Sequence, residues 1–291
     1  MNKQSGFTLI ELMIAGFIGI FIFTGLLNLL ITTNKSVTLS DSLSQNQETG
    51  RFTMNYLTSF VRRAGYSEDF TAFTPPLFIE SGENTDSPIT CTGNQADACA
   101  SNNPITNPVT MVGDRLSIPM DIGGDNGDEI RSCTGTIIGG NGAWANSGPQ
   151  RIVNVFWVSA TADNNRQLLC RTFNRNTNNW IENQAVSIIN NIERLEFQVG
   201  IASDAEESSA SRYVSVNTIT DDSTITMDFI RSIRISILTT SQDDLNNDSQ
   251  STLRERSYGL LDAPEFTIKD RNLRNVFTNT IELPNMIGPR S

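Results

Sequence analysis

Gly6-Phe7-Thr8-Leu9-Ile10-Glu11 opens the stretch GFTLIELMIAGFIGIFIFTGLLNLLI, residues 6–31, a long apolar run that starts with a glycine. Between Phe7 and Ile31 the only charged side chain is Glu11. A helix of about 20 apolar residues crosses a bilayer at ~1.5 Å per residue, so the run is long enough to span. In front of it lies a short polar leader, Met1–Gly6, whose single cation is Lys3. A secretory signal fits poorly, because its apolar core is shorter and ends at a small-x-small cleavage site. An ordinary anchor accounts for the length but not for Glu11, since an intramembrane carboxylate is costly and asks for a partner.

The string Gly6-Phe7-Thr8-Leu9-Ile10-Glu11 with its apolar tail resembles the cleavage and N-methylation motif of type IV prepilins and type II secretion pseudopilins. The resemblance implies that prepilin peptidase cuts after Gly6 and methylates the new terminal Phe7. It also gives Glu11 a role, because the fresh α-amino cation on Phe7 needs a carboxylate in apolar surroundings, from a neighbour or from its own chain. The plain alternative is an acid that the dipole at a helix N-terminus tolerates.

Downstream the chain turns polar, and no proline appears until Pro75. Leu39, Leu43, Met54, Leu57 and Val61 recur at helical steps. One helix is therefore expected from about Phe7 to Arg63, with residues 7–31 in lipid and 32–66 forming an amphipathic half. Related pilins often carry a proline in the membrane half, and this chain has none there. The strings Gln47-Glu48-Thr49-Gly50-Arg51-Phe52 and Arg62-Arg63-Ala64-Gly65-Tyr66 resemble the helix end of PilW-type minor pilins. Read structurally, Arg62 and Arg63 are cations at a helix C-terminus, and Gly65 is placed to stop the helix.

Residues 67–108 read as loop, with Pro75, Pro76, Pro88, Pro104 and Pro108 among small polar residues. From Val109 the pattern becomes β, with strands expected at 109–118, 151–159, 166–173, 192–201, 212–219, 229–240 and 273–283. Arg231–Ile237 alternates apolar and polar residues, as a strand with one wet face does. Turns are expected at 121–128, 139–148 and 163–165. Arg231–Ser241 and Leu273–Ile281 also resemble strands of PilW-type proteins. The expected class is α+β: a long N-terminal helix packed on an antiparallel β domain spanning 67–291.

The chain has a net charge of −11, which disfavours nucleic acid, and no histidine, which removes His-based nucleophile systems and His-ligated zinc. Four cysteines in an exported chain suit two disulfides, and of the three possible pairings Cys91–Cys99 with Cys133–Cys170 is favoured. Their spacing lacks the close pairs of a zinc site. Asp244, Asn246, Asp248 and Glu255 match positions one, three, five and twelve of a calcium loop, but Ser249 stands where that loop needs glycine. Asp121, Asp125, Asp128 and Glu129 form a second acidic run with less register. Trp157 and Trp180 read as core, and Trp144 as a candidate exposed contact.

No catalytic set and no cofactor is implied. What the resemblance implies is a minor pilin without enzymatic activity, held in the inner membrane with its C-terminal part in the periplasm and then built into a surface pilus. Its partners would be prepilin peptidase, the inner-membrane assembly machinery, other minor pilins and the major pilin. A type II secretion pseudopilin and a pilus-displayed binding module are the competing readings.

Overall fold

The computed structural model describes residues 8–67, 74–79, 98–101, 112–122, 130–138, 150–159, 166–204, 206–222, 224–241 and 254–286. One helix, α1 (Leu9–Val61), runs for 53 residues, about 80 Å at the helical rise. Its first 33 residues, up to Asp41, are exposed on every side, and burial begins at Ser42. Over the exposed part hydroxyls bond back to their own helix, with Thr32, Thr33, Ser36 and Thr38 each donating to the carbonyl four residues earlier. The helix ends where Gly65 takes a φ of 73°, a left-handed conformation that a side chain resists.

The expected stripe needs correction at its upper end. Met54, Leu57 and Val61 are buried, but Leu43 is half-buried and Leu39 is 44 % exposed. In that stretch the inward positions are Ser42, Asn46, Gly50 and Thr53 instead. Small side chains serve here because a strand lies close against the helix, and an apolar stripe alone does not mark such a contact.

Among the described residues eleven strands form three antiparallel sheets. The first joins β1 (Leu116–Ile122), β2 (Gln150–Val158), β3 (Gln167–Asn174) and β4 (Asn179–Trp180) in that order, with β5 (Val186–Asn190) also paired to β3. The second runs β11 (Arg274–Glu282), β8 (Ile230–Thr240), β6 (Ile192–Ile201), β7 (Arg212–Val214). A hairpin of β9 (Arg254–Tyr258) and β10 (Phe266–Asp270) makes the third. Strand β2 is buried on both faces. Phe156 and Val158 join a core with Met54, Leu57, Phe60, Ile235 and Ile237, while Val153 and Val155 pack with Phe78 and Phe173 behind the sheet.

Four strand expectations shift. β1 begins at Leu116 and runs through Asp121 and Ile122, which were expected in a turn. In 212–219 only Arg212–Val214 is strand, because Ser215 caps a short helix, α2 (Val216–Asp221), by accepting from the Thr218 amide. The β9–β10 hairpin, β4 and β5 lie where no strand is expected from sequence. The polar face of β8 is not wet: Ser232 and Ser236 are buried, Ser236 shares a hydrogen bond with Thr278 at 3.0 Å, and Arg194 of the facing row lies over Phe266 of the hairpin. Small hydroxyls that find partners can be covered, so alternation in sequence did not reveal the cover.

Candidate functional site

The exposed N-terminal half of α1 is the first surface with a job. Leu9 through Ile31 presents Phe17, Phe21 and Phe23 at 61–76 % exposure, and its most apolar window has a mean hydropathy of 2.4 with none of it buried. A folded domain leaves such a stripe bare only when something outside the chain covers it. At its tip Thr8 and Glu11 form a capping box. The Thr8 amide and hydroxyl each donate to Glu11 Oε2 at 2.9 Å, and the Glu11 amide donates back to Thr8 Oγ1 at 3.4 Å. Two of the helix's unpaired N-terminal groups are satisfied this way. Gly6 and Phe7 lie outside the described residues.

The second surface is the seam that holds the spike to the domain. Asn46 Nδ2 donates to the Leu273 carbonyl at 3.2 Å, and a methyl group built on Gly50 would sit 2.1 Å from the Phe277 ring. Arg274, next to Leu273, is clamped between Glu193 (2.6 and 2.8 Å) and Asp270 (2.6 Å to each oxygen). Burial works against the charges there, but the hydrogen bonds outweigh it, so the Arg274 guanidinium is held above its usual range and the Asp270 carboxyl below. Arg274 and Phe277 lie in a strand legible from sequence, yet nothing in the sequence pairs them with Glu193 or Gly50.

One turn before Phe60 the helix meets the disulfide loop. Tyr56 packs on Phe60 at 5.1 Å and on Phe156 at 6.2 Å between ring centres, and its hydroxyl donates to the Cys133 carbonyl. Burial pushes the Tyr56 phenol up to about 12. Cys133 is bonded to Cys170, whose Cα lies 6.2 Å away, and Cys99 is also disulfide-bonded. Cys91 lies outside the described residues.

Around the C-terminal end of α1 arginines gather. Asp121 accepts from Arg151 Nε at 2.5 Å and Nη2 at 2.9 Å, and from Thr74 Oγ1 at 2.8 Å. That bonding raises the Arg151 guanidinium, while burial followed by the charge of Arg151 lowers that of Arg175. Asp121 is thus an ion-pair partner rather than a member of an acidic loop, and its companions Asp125, Asp128 and Glu129 lie outside the described residues.

Of the calcium-type string, Asp244, Asn246 and Asp248 lie outside the described residues, and Glu255 sits in β9 opposite Lys269. The twelfth position is therefore in a strand, where a calcium loop would open its second helix. Among the described residues no group of three metal-ligating side chains converges. Trp180 packs edge-on against Phe173 at 5.2 Å under Arg171, and Trp157 is half-buried in the same cluster. Trp144 lies outside the described residues.

Comparison with known proteins supplies two family matches. The model of the prokaryotic N-terminal methylation motif matches residues 1–27, and that of Type IV Pilus-assembly protein W matches residues 155–285. No curated protein matches the chain. Among solved structures, a type IV-like pilin from Thermus thermophilus is similar over 62 % of this chain and 83 % of its own, at 10 % identity and a TM-score of 0.28.

Proposed function

The chain is a type IV pilin-like protein of the PilW type, and from that premise we propose that it is a minor pilin that primes pilus assembly at or near the filament tip. Prepilin peptidase cuts between Gly6 and Phe7 and methylates Phe7. The precursor waits in the inner membrane on α1 with its sheets in the periplasm, and then leaves the membrane by joining the helices of other minor pilins and the major pilin. Its work is structural: cohesion comes from burying the bare half of α1, at roughly 25 cal/mol for each Å² of apolar surface covered. The observation that carries this reading is a fully exposed apolar spike, Leu9–Ile31, behind a methylation motif and on a folded domain that docks only from Ser42 onward.

Glu11 gives the test. In the filament its carboxylate would meet the Phe7 amine, whereas in the isolated chain it serves the Thr8 cap. Glu11→Ala should leave cleavage and methylation intact, as read by mass spectrometry of the N-terminus, and impair incorporation into sheared pili. Thr8→Ala removes the cap hydroxyl but spares the carboxylate, and it should incorporate normally. Wild-type piliation by Glu11→Ala, or an intact Met1 in cells with active peptidase, would overturn the proposal. A secretion defect without a pilus defect on deletion would instead identify a pseudopilin.

A further inference from the structure

A cavity of about 540 Å³ opens beside the C-terminal end of α1, walled by Arg62, Arg63 and Tyr66 from the chain leaving the helix, and by Ile130 and Arg131 from the loop after β1. Asn285 closes one side. From these residues the geometry points to a binding site for a small anion, a carboxylate or phosphate carried on a sugar-sized body.

Two guanidinium groups, those of Arg62 and Arg63, form the cationic side of the cavity. Side chains at the end of a helix ordinarily fold back on its last carbonyls. Here Asn285 Nδ2 has taken that task, donating to the carbonyls of Arg62 at 3.3 Å and Ala64 at 3.1 Å. Among the described residues neither Arg62 nor Arg63 makes a side-chain hydrogen bond or an ion pair; the guanidinium of Arg63 only lies 5.8 Å from the Phe60 ring. In a chain of net charge −11, two adjacent cations that no carboxylate among the described residues meets stand out. Asp121 also borders the cavity, but its carboxylate is bound by Arg151, Thr74 and, at 3.3 Å, the Ser67 hydroxyl.

Shape and chemistry set the ligand class. The volume falls within the roughly 300–1,000 Å³ typical of small-molecule sites. Guanidinium forks match carboxylate and phosphate oxygens two at a time. The Tyr66 ring, 43 % exposed, offers an amphipathic face beside the apolar side chains of Met120 and Ile130. Because the whole chain repels anions, attraction is confined to short range, about 8 Å at physiological salt, and binding weakens as salt rises.

The experiment is calorimetric titration of the full chain in an uncharged detergent with glucuronate, glucose 6-phosphate and glucose. Binding of at least one anion, and none of neutral glucose, is expected; which anion binds identifies the head group. Arg62→Ala/Arg63→Ala should weaken binding at least about tenfold, since each charged hydrogen bond is worth more than a neutral one. Arg62→Lys/Arg63→Lys, which keeps the charge but not the fork, should fall between. Both pairs are solvent-facing, so their melting curves should match that of the parent and separate lost binding from lost fold. No binding of either anion at about 10 mM, equal binding of glucose, or an alanine pair that binds like the parent would each overturn the proposal.

Discussion

The ring of Phe277 lies directly on the backbone of Gly50, so close that a methyl group at position 50 would fall 2.1 Å from ring carbon Cε2. Glycine in the middle of a helix weakens it by about 1 kcal/mol relative to alanine. That cost is accepted here because the last strand must come close to the helix.

Gly50→Ala should therefore destabilise the domain despite its better helix propensity, by about 1–2 kcal/mol, as overpacking does. Combining it with Phe277→Ala should recover most of the loss attributable to the clash. A double-mutant cycle from chemical denaturation in detergent measures the coupling; additive single effects would mean that the two sites do not compete for the same space.

Tyr56 predicts an alkaline limit. Its phenol is held at about 12, above its ordinary value of 10, because burial disfavours the phenolate. The folded state thus holds this proton more tightly than the unfolded one. The resulting stability is complete below pH 10 and is lost as pH rises through 12. Tyr56→Phe should lower stability at pH 7 by about 1 kcal/mol through the missing bond to Cys133, and should flatten the decline above pH 10. Denaturation midpoints at pH 7, 9 and 10.5 compare the two chains.

Arg274 predicts an acid limit. The lowered Asp270 carboxyl contributes stability that is present above its unfolded value and lost as pH falls through its folded one. Arg274→Ala leaves Glu193 buried without its partner and should cost about 3 kcal/mol at neutral pH. The loss should shrink in acid, where the Asp270 carboxylate that Arg274 holds is protonated. A loss that is constant from pH 7 to pH 3 would contradict the arrangement.

Reduction should loosen the first sheet. Cys133–Cys170 closes a loop with a sequence separation of 37, and its removal by Cys133→Ser/Cys170→Ser should cost about 2–4 kcal/mol. The effect is read as a lower denaturation midpoint under otherwise identical conditions.

How much of this was legible follows from the range of each interaction. Leu9–Val61 could be read as one helix because composition, spacing and the absence of proline all act within a few turns. Strands β2, β3, β6, β8 and β11 were visible as β-type runs for the same local reason. The upper half of the docking face was not, because Ser42, Asn46 and Gly50 look solvent-bound until Leu273 and Phe277 are brought beside them from more than 220 residues away. Asp121 looked like part of an acidic turn until Arg151 was found across the β1–β2 pair. Sequence holds the donors and acceptors, but pairing over such distances is set by the sheet register.

Asn285, which satisfies the carbonyls at the end of α1, and Met286, whose sulfur comes within 2.6 Å of where a side chain on Gly65 would begin, are among the last described residues. The C-terminal end of α1 is thus completed by a residue more than 220 positions further along the chain. A nascent chain that has not yet reached these positions leaves the Arg62 and Ala64 carbonyls without the donor they have in the fold. The end of α1 therefore waits on a distant residue: its last carbonyls gain their partner only once Asn285 has been made.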